Sequence, residues 1–163
     1  MASMQKLIGP GGATFEVVDT AGAASVELDG VALVNSPEVA TATQTLTAAD
    51  SGKTIVLNSA TSIVTTLPAV ALGLYFKFIV GALGVANGQN HTIVVPVAND
   101  NTIFGGAIVA GAEVPASAEG TINIVGTSGT TALPGDVVEV FCDGTNWYAN
   151  GRATTAGAIT FTT

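Results

Sequence analysis

Apolar and polar positions alternate most cleanly from Asp136 to Cys142. Val138, Val140 and Cys142 fall on one face of an extended chain, and Val137, Glu139 and Phe141 on the other. A period of two is the pattern of a half-buried strand. Asp143-Gly144 follows, a pair that accepts the positive φ values of a tight turn. Trp147-Tyr148 then opens a return strand with large apolar side chains, and Asn150-Gly151 is expected to end it.

The same reading gives strands over 54–58, 63–67, 74–80, 91–95, 102–109, 121–125, 136–142, 146–149 and 158–162, separated by Gly, Pro, Asn, Asp and Ser. A further strand is expected at 14–18, and a small hairpin at 25–28 and 31–34 around Asp29-Gly30. Residues 38–49 are rich in Thr and Ala; the alternation of Thr41, Thr43 and Thr45 suits an edge strand or an extended linker. Pro96 and Pro115 are placed at strand ends, where a missing N–H is tolerated. Ala69–Leu72 is the one helix candidate and is too short to matter. Residues 1–13 have no periodicity, and Gly9-Pro10-Gly11-Gly12 cannot hold a helix. Short strands at regular spacing predict an all-β sandwich or barrel-like domain with an extended N-terminal arm. The expected division is an arm and small hairpin over 1–40 and a sandwich or barrel over 41–163. Within the arm, Met4, Leu7 and Ile8 are candidate contacts with a partner, because apolar side chains on an arm are costly to leave in water.

Composition changes this picture in one respect. Only 10% of the residues are charged, against about 25% in ordinary soluble domains, and 48% are apolar. A surface of Thr, Ser, Asn and Ala suggests extensive cover by other subunits, or service outside a cell. The net charge is −8, and Lys6, Lys53, Lys77 and Arg152 are the whole basic complement. Nucleic-acid binding through phosphate neutralisation is disfavoured, as is a polybasic membrane contact. The longest apolar run, 69–86, is broken by Gly73, Lys77, Gly81 and Gly84 and reads as a strand between turns, not a membrane span. No signal peptide is visible in the first ten residues. The single cysteine, Cys142, excludes an intrachain disulfide and is expected to be a small buried hydrophobe.

Candidate chemistry is sparse. Ser51-Gly52-Lys53-Thr54 resembles the end of a phosphate-binding loop, but Thr47 stands where the loop needs glycine, and Ile55-Val56-Leu57 favours a strand over the required helix. A turn before a strand is expected instead. Asn90-His91-Thr92 matches a glycosylation sequon. His91, the only histidine, has no second ligand type near it and is expected at a strand start with its ring solvated or hydrogen-bonded. Asn99-Asp100-Asn101 offers oxygens to calcium but suits an Asx-turn better. No catalytic residue, metal site or cofactor site is assigned, and the chain is not expected to be an enzyme.

Two blocks carry a resemblance. One is the run 46–58 (LTAADSGKTIVLN), followed by Thr66-Leu67-Pro68-Ala69 and by 73–80 (GLYFKFIV). The other is Gly135-Asp136 through Asp143-Gly144-Thr145-Asn146-Trp147-Tyr148. In this order they resemble the β-rich domain of tailed-bacteriophage capsid decoration, or cement, proteins, over about residues 46–151. That resemblance implies a virion structural protein on the outer surface of the capsid. It would bind the major capsid protein, associate with itself as a homotrimer, and stabilise contacts between capsid subunits without a cofactor. Similar blocks occur in some phage tail fibres. The alternative is therefore a tail-fibre or receptor-binding module that takes host surface glycan through loops around Trp147 and Tyr148. In the decoration reading Trp147 is a structural anchor.

Overall fold

The computed structural model describes residues 5–8, 14–20, 23–28, 31–32, 37–81, 89–99, 102–126 and 131–163. The chain divides into two compact units, Met1–Ser36 and Pro37–Thr163. The first contains β1 (Gln5–Ile8), β2 (Thr14–Thr20), β3 (Ala23–Leu28) and β4 (Val31–Ala32), paired in that order as an antiparallel meander. Gln5–Ile8, inside the segment read as an arm, thus pairs with β2, Leu7 opposite Phe15 and Ile8 opposite Thr14.

The second unit contains β5 (Glu38–Ala40), β6 (Gln44–Thr45), β7 (Thr54–Leu57), β8 (Ile63–Thr66), β9 (Leu72–Val80) and β10 (His91–Val94). It continues with β11 (Ile103–Val109), β12 (Ala112–Glu119), β13 (Thr121–Ile124), β14 (Val137–Asp143), β15 (Trp147–Ala153) and β16 (Ile159–Thr162). Two mixed sheets pack face to face as an all-β sandwich. The seven-stranded sheet has the order β12-β11-β15-β14-β9-β7-β5, and the five-stranded sheet β16-β13-β10-β8-β6.

Alternation decides the core. On β9, Leu74, Phe76, Phe78 and Val80 point inward; on β14, Val138, Val140 and Cys142; on β7, Ile55 and Leu57. The facing sheet contributes Ile63, Ile93, Ile122, Ile124 and Ile159. Trp147 is fully buried, its ring 6.0 Å from that of Phe76. Cys142 is buried, and its Sγ accepts a 3.4 Å hydrogen bond from the Gly144 N–H. Ser51-Gly52 forms a turn ahead of β7, and the Gly52 N–H bonds to the Tyr75 carbonyl at 2.7 Å. The Thr/Ala-rich segment contains both β5 and β6, which are edge strands of the two different sheets.

Three expectations are corrected. Asn150-Gly151 does not end the return strand, because β15 runs on to Ala153. Gly151 is a packing glycine: a Cβ there would lie 2.7 Å from the Cβ of Ala107. Pro115 is not at a strand end but inside β12, opposite Gly106. It is accommodated because β12 is the sheet's edge, where one side of the backbone has no strand to bond. His91 does begin a strand, but its ring is fully buried, not solvated, and its nitrogens make no well-formed hydrogen bond. Burial pushes its pKa below the ordinary value, with the Ser59 backbone pulling weakly the other way.

Candidate functional site

The side of the seven-stranded sheet turned away from the core carries a row of aromatic rings. Pairing registers Tyr75 of β9 with Phe141 of β14, Phe141 with Tyr148 of β15, and Tyr148 with Phe104 of β11. Each is the outward partner of an inward neighbour in its strand: Phe76, Val140, Trp147 and Ile103 are all buried. Tyr75, Phe141 and Tyr148 are 37%, 45% and 42% exposed, so each ring keeps a substantial part of its surface open to solvent. The rings of Phe104 and Tyr148 have centroids 6.4 Å apart at 38°, a tilted contact of the kind aromatic pairs favour.

Two further rows run parallel to it. Lys77, Glu139, Asn150 and Gly106 are in register in the next, and Ile79, Val137, Arg152 and Ile108 beyond that. Lys77 Nζ and Glu139 Oε1 are 3.3 Å apart. Glu139 also takes a hydrogen bond from the Tyr75 hydroxyl; burial first, and this bond second, raise the Tyr75 pKa. Further along the aromatic row the Tyr148 hydroxyl donates to Asp143 Oδ2 at 3.0 Å, and the tyrosine pKa is raised by that carboxylate. Asp143 Oδ1 accepts from the N–H groups of Asn146 at 2.7 Å and Thr145 at 2.8 Å, which hold the carboxylate below its ordinary pKa and fix the β14–β15 turn. Between the rows lies a shallow open depression of about 230 Å³, bordered by Tyr75, Glu139, Phe141, Tyr148 and Asn150.

The other charged clusters serve local structure. Lys53 Nζ lies 2.6 Å from Asp50 Oδ1 and 3.0 Å from Glu38 Oε2, joining the turn before β7 to the edge strand β5. With Lys53, and then Thr47, bonded to it, Asp50 has a pKa lowered to about 2. The buried carboxylate of Asp136 accepts from the Leu133 N–H at 2.8 Å and from the N–H and hydroxyl of Thr154, tying the loop before β14 to the end of β15. Among the described residues no group of three or more His, Cys, Asp or Glu side chains could hold a metal ion. No helix of the described residues is long and apolar enough to cross a membrane.

Of the residues singled out in the sequence, Met4 lies outside the described residues, as do Asp100 and Asn101; Leu7 and Ile8 are on β1. Asn90 is exposed, and its Oδ1 accepts from the Gly126 N–H at 3.0 Å. Trp147 and Tyr148 are both on β15, one turned into the core and the other onto the aromatic row. The row itself did not emerge from local pattern. Alternation indicates that Tyr75, Phe141 and Tyr148 share an outward sense, but only strand order and register bring them side by side. Comparison with protein-family models, curated proteins and solved structures gives no match.

Proposed function

We propose that the chain is a virion structural protein that decorates the outside of a tailed-phage capsid and braces contacts between major-capsid subunits. The observation that carries this reading is where the two resembling blocks lie. They are far apart in sequence, yet they supply β7, β9, β14 and β15, four neighbouring strands of one sheet. The blocks therefore describe a single packed structure with a shared core of Ile55, Phe76, Val140 and Trp147. A chemistry of binding also suits a chain with few charges and with the carboxylates of Asp50, Asp136 and Asp143 engaged in turns and loop ties.

The mechanism is avidity. A protein that binds the assembled shell but not free capsid subunits stabilises the shell by mass action. Weak contacts repeated over a lattice add up without any single tight site. Association as a homotrimer would match three-fold positions on such a shell. The tail-fibre alternative placed glycan binding in loops around Trp147 and Tyr148; both residues are on strand β15, and the indole is buried.

Co-sedimentation with expanded capsids tests the proposal. The full chain is expected to saturate the shells at a fixed ratio to the major capsid protein and to raise their disruption temperature. A chain beginning at Ala13 is expected to retain its β-type circular dichroism spectrum and to bind more weakly, because Met4, Leu7 and Ile8 are gone. Binding undiminished by the truncation would remove those residues from the contact; no binding by the full chain would sink the capsid reading.

A further inference from the structure

We infer that the outer face of the seven-stranded sheet is a binding platform for a neutral oligosaccharide, with Tyr75, Phe141, Tyr148 and Phe104 as the stacking row. This is independent of the capsid reading. The chemistry is that of a sugar ring. A pyranose has an apolar face of C–H groups and a rim of hydroxyls. Half-open aromatic rings in a line receive the C–H faces, and their burial is the hydrophobic contribution. The adjoining row supplies what the rim needs: the Asn150 amide both donates and accepts, and the Glu139 carboxylate accepts. Both tyrosine hydroxyls are already tethered, one to Glu139 and one to Asp143, so these two rings of the row are held in place before a ligand arrives. Preorganisation of this kind lowers the ordering cost of binding.

Size selects the occupant. Strands lie about 4.8 Å apart and alternate residues about 7 Å apart along a strand, so three rows on four strands project to roughly 400 Å². A stable protein–protein interface takes about 800 Å² from each partner, about twice as much. The patch is too small for a second copy of this chain to hold by itself, and it fits a few linked sugar rings. Charge selects further. Lys77 is paired with Glu139, and Arg152 with Glu113 flanks Ile108 in neighbouring strands, so the face is close to neutral on a chain of net charge −8. An anionic glycan would be repelled by the molecule and find no free cationic cluster on the platform.

The test uses the full chain titrated with cellotetraose, maltotetraose and chitotetraose, followed by calorimetry and by NMR shift changes, with an alginate tetrasaccharide as the anionic comparison. At least one neutral probe is expected to bind in the millimolar range or tighter, and alginate to bind more weakly. Phe141→Ala and Tyr148→Ala are expected to weaken binding about tenfold, as loss of an aromatic anchor does, with the far-ultraviolet spectrum unchanged. Asn150→Ala, which keeps the rings, is expected to weaken it less. Val64→Ala, on the outer side of the other sheet, is expected to leave it alone. Absence of binding to all three neutral probes overturns the inference, as does binding that ignores the ring variants. If Phe141→Ala and Tyr148→Ala instead dissociate an oligomer, or abolish capsid co-sedimentation, the face belongs to a second copy or to the capsid and not to a sugar.

Discussion

Residue 151 faces the core directly opposite Ala107, and the absence of a Cβ lets β11 and β15 close on each other there. Gly151→Ala forces two Cβ atoms to within 2.7 Å unless the backbone moves. Overpacking of this kind costs about 1–3 kcal/mol, to be read as a lowered urea midpoint. The paired change Ala107→Gly is expected to return most of it; a double variant no better than the single would mean that the clash is not the cause. His91 makes a second prediction at this scale. Its ring is buried and neutral, with a folded-state pKa below the ordinary 6.5. Above that value both states are unprotonated and stability is unaffected. As pH falls below it, the unfolded chain takes up the proton first, so stability declines until the folded-state pKa is passed. His91→Leu should flatten the stability profile in the window just below 6.5. Asp50, with its folded pKa lowered from 3.8 to about 2, acts in the same direction but only in that more acidic window. A wild-type profile flat from pH 7 to 5 would contradict the role given to His91.

At the scale of elements, the strands that alternate strictly were legible and those built on unusual turns were not. β9 and β14 place every second residue in the core, and on β14 alternation in the sequence separated the two faces, with Cys142 expected on the buried one. β12 went unread for two physical reasons. Its turn is Ala110-Gly111, with φ of 50° and 82°, a two-residue hairpin turn without the Asn or Asp that marks such turns in a sequence. It also contains Pro115, which argues against a strand until the strand is known to be an edge. β5 and β6 are so short that their pairing comes from the neighbouring strands and not from their own pattern. An alanine in the left-handed region is strained by its Cβ. Ala110→Asn is therefore expected to stabilise the protein by about 0.5–1 kcal/mol, seen as a higher melting temperature with an unchanged spectrum. A loss of stability would show that the turn is held by something other than its own backbone preference. The aromatic row belongs to this scale as well. It is a product of register across β9, β14, β15 and β11, and no local window of sequence contains it.

For the whole molecule, the second unit has a core of its own. Ile55, Phe76, Phe78, Ile93, Ile122, Trp147 and Ile159 all come from residues after Ser36. A chain beginning at Pro37 is expected to fold cooperatively, with the same tryptophan emission as the full chain, because Trp147 and its neighbours are intact. A red-shifted emission or a non-cooperative melt would mean that the first 36 residues are needed to complete the fold. Low charge and the Thr-rich exterior point the same way as the capsid proposal, since both describe a surface made to be covered repeatedly by neighbours. The most direct measurement of that proposal is the number of copies of this chain in a purified virion, counted against the major capsid protein by quantitative mass spectrometry. Decoration of the shell predicts hundreds of copies in a fixed ratio to the major capsid protein; a handful of copies, as a tail component would give, or none at all, would contradict it.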